Sequence, residues 1–91
     1  MTSTTERRIK PTIAIVDGVT IRMFNNDHSP PHFHATLGGD EILLAIGDPS
    51  VIRGSLPQAN LRRILASAGE HQGALALNWI RCQASEAPER I

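Results

Sequence analysis

The sequence has one cysteine, one tryptophan, two phenylalanines and no tyrosine, and its nine acidic residues cancel its nine basic ones. Each scarcity excludes something. A lone cysteine rules out an intrachain disulfide framework and any metal site built from several thiolates. Cys82 falls in a helix-like stretch, where the expected role is that of a small buried apolar residue. Zero net charge means that no broad positive field is available to neutralise phosphates, which weighs against general nucleic-acid binding. A local basic patch stays open, because Lys10 is the single lysine and the remaining basic residues are all Arg, the better residue for bidentate oxyanion contacts.

Long apolar runs are missing as well. No stretch approaches the ~20 apolar residues needed to span a bilayer, so no membrane partner is expected. The first residues are polar and carry no apolar segment of the secretory kind, which makes the cytoplasm the default location. Internal repeats are absent. At 91 residues the chain is one domain, and folding at this size buries only roughly 60–65% of the unfolded surface, so assembly with a partner has value.

Against this plain background stands Asp27-His28-Ser29-Pro30-Pro31-His32-Phe33-His34, which holds three of the four histidines. Two adjacent prolines fix φ, remove two backbone donors and push Ser29 and Pro30 toward extended conformations, so no helix carries the segment. If a strand begins at His32, the imidazoles of His32 and His34 share one face while Phe33 points to the other, into the core.

The rest of the chain reads as an α+β domain. Residues 1–11 form a disordered lead, 12–84 the folded unit and 85–91 a flexible tail, by composition. Thr12–Val16 and Val19–Phe24 are β-branched runs around Asp17-Gly18, a dipeptide suited to a type I′ hairpin. Phe33–Leu37 and Asp40–Ile46 make a second hairpin around Gly38-Gly39, and Val51–Gly54 is a short fifth candidate strand. Leu61, Ile64, Leu65 and Ala68 then fall at helical spacing, with Pro57 in the first turn and Ser55 and Gln58 spaced as a capping box. Leu75, Trp79 and Cys82 restart a helical face after a break between Gly69 and Gly73. The expectation is an antiparallel sheet of four to five strands, two hairpins included, packed by two C-terminal helices. His71 at the break is placed to satisfy terminal carbonyls.

Three chemistries fit the histidine segment. The first is recognition: Pro30 and Pro31 stiffen a loop on which Asp27, His28, His32 and His34 offer hydrogen bonds to another small protein or a second copy of the chain. The second is a divalent ion, zinc or nickel, chelated by His32 and His34 with Asp27 or a facing carboxylate such as Asp40. His28 fits that set poorly, because an extended Ser-Pro-Pro carries it ~12 Å from His32; a cis bond at Ser29–Pro30 or Pro30–Pro31 would supply a bend. The third is metal-independent ribonuclease chemistry, with His32 and His34 as acid and base and Arg22 or Arg53 as stabiliser. The plain alternative is that Asp27 and His28 cap the loop while His32 and His34 are ordinary strand residues facing solvent.

The residues Ile21-Arg22-Met23-Phe24, Asn26-Asp27-His28, Pro30 through Ala35, Gly38-Gly39, Leu56-Pro57 and Asn78-Trp79 together resemble the DUF4160 family of small bacterial proteins. That resemblance spans about residues 12–80. It implies a compact antiparallel sheet backed by C-terminal helices and a function that is not established. Such proteins are often encoded beside another small protein, which implies a partner-binding component of a paired, toxin–antitoxin-like module. One departure is plain: family members commonly carry an aromatic residue, often Tyr, after His-Phe-His, and this chain has no Tyr to supply that hydroxyl.

Overall fold

The computed structural model describes residues 12–91, so the lead expected over residues 1–11 lies outside the described residues. Strands β1 (Thr12–Val16), β2 (Val19–Arg22), β3 (His32–Leu37), β4 (Asp40–Ala45) and β5 (Val51–Gly54) precede helices α1 (Gln58–Glu70) and α2 (Gln72–Gln83). The strands form one sheet in sequence order, every neighbouring pair antiparallel. This is the α+β architecture expected from the sequence.

The turns follow from local chemistry. Asp17 and Gly18 have φ of 53° and 79°, the two positive values that a type I′ turn needs and that match the strand twist. The Asp17 carboxylate also accepts hydrogen bonds from Asn60 and Arg63, which ties the first hairpin to α1. At the far edge, Gly54 has φ 90° and lies against the Glu41 carbonyl, so this end of β5 admits no side chain.

Pleating then sorts the residues into two faces. Ile21, Ala35 and Ile42 stand opposite one another across β2, β3 and β4, as do Phe33 and Leu44 across β3 and β4. All five are buried in one core with Ile64, Ala68, Leu75 and Trp79 from the helices. Phe33 is 1% exposed, and full burial of such a side chain contributes about 1.5–3 kcal/mol. The other face carries the row Arg22, His34, Leu43 and Arg53 across four strands.

Two details depart from the sequence expectations. Strand β2 ends at Arg22 and β4 at Ala45, each before the end of its apolar run. The Ser55–Gln58 capping box does not form: Pro57, with extended ψ of 144°, is itself the N-cap of α1, and no side chain caps it. Within residues 85–91, Glu89 and Ile91 bond back onto the domain. Asn78, 1% exposed, holds both the N–H and the carbonyl of Glu89 through its side chain, and the Ile91 N–H donates to Ile13.

The helix break lies at His71, whose φ of −115° and ψ of 27° separate α1 from α2. Its Nδ1 lies 2.9 Å from the Ser67 carbonyl oxygen, the role expected for an imidazole at a helix end.

Candidate functional site

The site is built where the end of α2 meets the loop between β2 and β3. The Asn26 N–H donates to the Cys82 carbonyl at 3.0 Å, and the Asn26 side chain reaches Ser85 at 3.1 Å. The Gln83 side chain donates to the Asp27 carbonyl at 3.0 Å. Asn26 has φ 57°, a left-handed conformation that Asn tolerates. Pinned in this way, the loop turns the Asp27 carboxylate inward over β3. Its Oδ1 accepts the His28 N–H at 2.9 Å, which fixes the carboxylate orientation.

The second oxygen is the focus of the site. Asp27 Oδ2 lies 3.0 Å from His32 Nε2 and 3.2 Å from His34 Nε2. The two imidazoles are neighbours because alternate residues of β3 share a face, and their ring centroids stand 5.2 Å apart. Phe24 stacks on His34 at 4.1 Å, and Trp79 packs against His32 at 5.4 Å. His32 and His34 are therefore 6% and 9% exposed. The expectation that these rings stand outward on a solvent-facing strand is corrected: the loop, Phe24 and Trp79 cover them.

The remaining ring nitrogens set the tautomers. His32 Nδ1 is 2.7 Å from the Pro30 carbonyl oxygen, which only accepts, so this nitrogen carries a proton. His34 Nδ1 faces Glu41 Oε2 at 3.2 Å and is protonated by the same reasoning. In the neutral rings both Nε2 atoms are then lone-pair acceptors, and both point at one carboxylate oxygen. Three acceptors facing one another at these distances repel, so positive charge belongs between them, supplied by protons or by a cation.

Two of the three distances within this set suit a divalent ion. Asp27, His32 and His34 each offer one ligand atom, and the three atoms lie within 4.8 Å of one another. Ligands about 2.0–2.2 Å from one ion, at tetrahedral or octahedral angles, stand roughly 3.0–3.5 Å apart. The two Nε2–Oδ2 distances fall in that interval. The Nδ1 contacts to a carbonyl and a carboxylate are the outer interactions that orient metal-binding imidazoles and raise their basicity.

Beside the cluster lies a groove of about 590 Å³. Ser29, Pro30, Leu43, Ile52 and Arg53 wall it, and Asp27, His32 and His34 open onto it.

The structure gathers some of the sequence candidates and disperses others. Asp27, His32 and His34 come together. His28 is exposed and contributes its backbone N–H to the Asp27 carboxylate while its imidazole stays outside the cluster, although the Ser29–Pro30 bond is cis. Pro30 supplies its carbonyl, and Pro31 is exposed at the strand entry. Arg22 stands beside His34 in the sheet, but its guanidinium donates to Thr36. Asp40 sits opposite Leu37 at the hairpin end, and the carboxylate that reaches His34 is Glu41. Glu41, Phe24 and Trp79 are parts of the site that the sequence reading missed. Cys82 is fully buried, and burial pushes its thiol pKa upward.

The sequence profile of DUF4160, a domain of unknown function, matches residues 18–80. The chain belongs to the DUF4160 family. Every residue of the cluster, Glu41 and Arg53 lie within the matched span. No curated protein and no solved structure matches the chain. Among the described residues, no helix is long and apolar enough to cross a membrane.

Proposed function

We propose that this DUF4160 protein binds one divalent transition-metal ion, zinc or nickel, through Asp27 Oδ2, His32 Nε2 and His34 Nε2. The observation that carries the reading is the convergence of both Nε2 atoms on one carboxylate oxygen while both Nδ1 atoms are engaged by acceptors. Two nitrogens and one oxygen suit zinc, nickel, copper or iron better than magnesium or calcium. Three protein ligands with a position left open are the pattern of reactive rather than purely structural sites.

Partner binding in a paired module keeps His28, Ser29, Pro30 and Pro31 as its exposed residues, whereas Asp27, His32 and His34 are largely covered and reach the surface only at the groove. Metal-independent ribonuclease chemistry has less support: both Nε2 atoms face Asp27, and of the two candidate arginines only Arg53 is left for the groove, Arg22 being engaged by Thr36.

Zinc titration by calorimetry tests the proposal, with the purified chain stripped of metal by chelation. We expect one ion per chain and a loss of affinity of at least about 100-fold in Asp27→Asn, His32→Ala and His34→Ala, since even outer-shell changes cost about 10–100-fold. His28→Ala should bind as the parent does. At zinc one hundred times above Kd, stability should rise by about 2.7 kcal/mol. Absence of binding by the parent, or equal losses in His28→Ala, overturns the proposal.

A further inference from the structure

Arg53 gives the groove a charge that the metal cluster does not use. It stands in the same row as His34, with Leu43 between them, on the sheet face opposite Phe33, Ala35 and Ile42. Two strand spacings, about 10 Å, separate the Arg53 and His34 backbones, and an extended Arg side chain crosses most of that span. Arg22, Arg63 and Arg81 each hold a polar partner. Among the described residues, no hydrogen bond or ion pair engages the Arg53 guanidinium.

We propose that the groove binds a small organic oxyanion that places one oxygen on the bound ion and another on Arg53. The proposal rests on the metal reading above. Three protein ligands leave an open position on the ion, and the groove is the side from which an outside ligand reaches it. A guanidinium donates charge-assisted hydrogen bonds to the carboxylate or phosphate oxygen that the metal leaves free. Leu43 and Ile52 complete the wall between these two charges. Ile52 is 44% exposed, an apolar surface suited to the carbon body of the ligand and covered when the ligand binds. A free inorganic ion would leave this apolar wall wet, so the ligand is a carboxylate or phosphate monoester with a hydrocarbon part.

The test uses the full chain loaded with one zinc, titrated calorimetrically with phenyl phosphate, benzoate and the neutral control benzyl alcohol. At least one anion should bind while benzyl alcohol does not, and the tighter anion identifies the oxyanion class. Arg53→Gln should weaken that binding at least about tenfold, the loss of a charge-assisted pair, with zinc affinity unchanged. The bound anion should also raise the apparent affinity for zinc, because coupling between two ligands is reciprocal. If zinc binds but neither anion does, or if Arg53→Gln binds as the parent does, the anion site is overturned and the metal centre stands. If zinc itself does not bind, both proposals fall.

Discussion

Gly54→Ala puts the geometry at the edge of the sheet to a quantitative test. A Cβ on Gly54 would lie 2.1 Å from the Glu41 carbonyl oxygen and 3.1 Å from both Glu41 C and Ile42 Cα. These are backbone atoms of β4, so no side-chain rotation relieves the clash. The backbone at φ 90° adds strain of about 1–3 kcal/mol for a non-glycine residue. Moving β5 away from β4 forfeits ladder hydrogen bonds at about 1 kcal/mol each. The sum is roughly 2–5 kcal/mol, a large part of the about 5–14 kcal/mol available to a domain of this length. At about 4–8 °C per kcal/mol, Tm should fall by at least about 8 °C. Gly38→Ala is the control, because Gly38 also has positive φ, at 60°, but open space where its Cβ would sit. Its loss should be limited to the conformational term, about 1–2 kcal/mol. Calorimetric melts of both variants decide the matter. Equal losses in the two, or a fall of less than about 5 °C for Gly54→Ala, would refute the close-approach reasoning.

Two further predictions concern the far side of the site. Asn78→Ala removes the side chain that holds Glu89 and meets Arg81, and should cost about 1–3 kcal/mol in denaturant unfolding. Hydrogen exchange should then accelerate over residues 86–91, and unchanged protection there would show that Asn78 does not fasten the tail. Cys82, buried with a raised pKa, should resist a thiol-specific reagent in the native protein at mildly alkaline pH and react at once in denaturant. The folded chain holds the thiol proton more tightly than the unfolded one. Its contribution to stability is therefore fully present below the ordinary thiol pKa and declines as pH rises through the folded value. Rapid native labelling would contradict the packing of α2.

The sheet was legible because its signals are local. Period-two alternation and the turns Asp17-Gly18 and Gly38-Gly39 fix pairing between residues close in sequence. The same locality made His32 and His34 readable as neighbours. Their burial was not readable, because the groups that cover them arrive from elsewhere. Trp79 comes from α2, and the Asp27 loop is held by Gln83 and Ser85, which are 56 and 59 positions away from their partners. No pattern within the histidine segment announces those contacts.

Glu41 is a different kind of miss. With Leu37 opposite Asp40 across a two-residue turn, Thr36 falls opposite Glu41, and Thr36 shares a face with His34. The register was therefore available from Gly38-Gly39, and following it one pair further would have chosen Glu41 over Asp40. The helix start failed for a local reason: Pro57 can occupy the cap as well as the first turn, and its extended ψ places α1 later than the Ser55–Gln58 spacing suggests.

The central claim is that Asp27, His32 and His34 hold one ion, and X-ray absorption at the zinc edge of the stoichiometrically loaded chain addresses it most directly. The account predicts a first shell of nitrogen and oxygen at about 2.0–2.1 Å, with outer-shell scattering from two imidazoles that falls to one in His34→Ala. A shell of oxygen alone, without imidazole scattering, would contradict it.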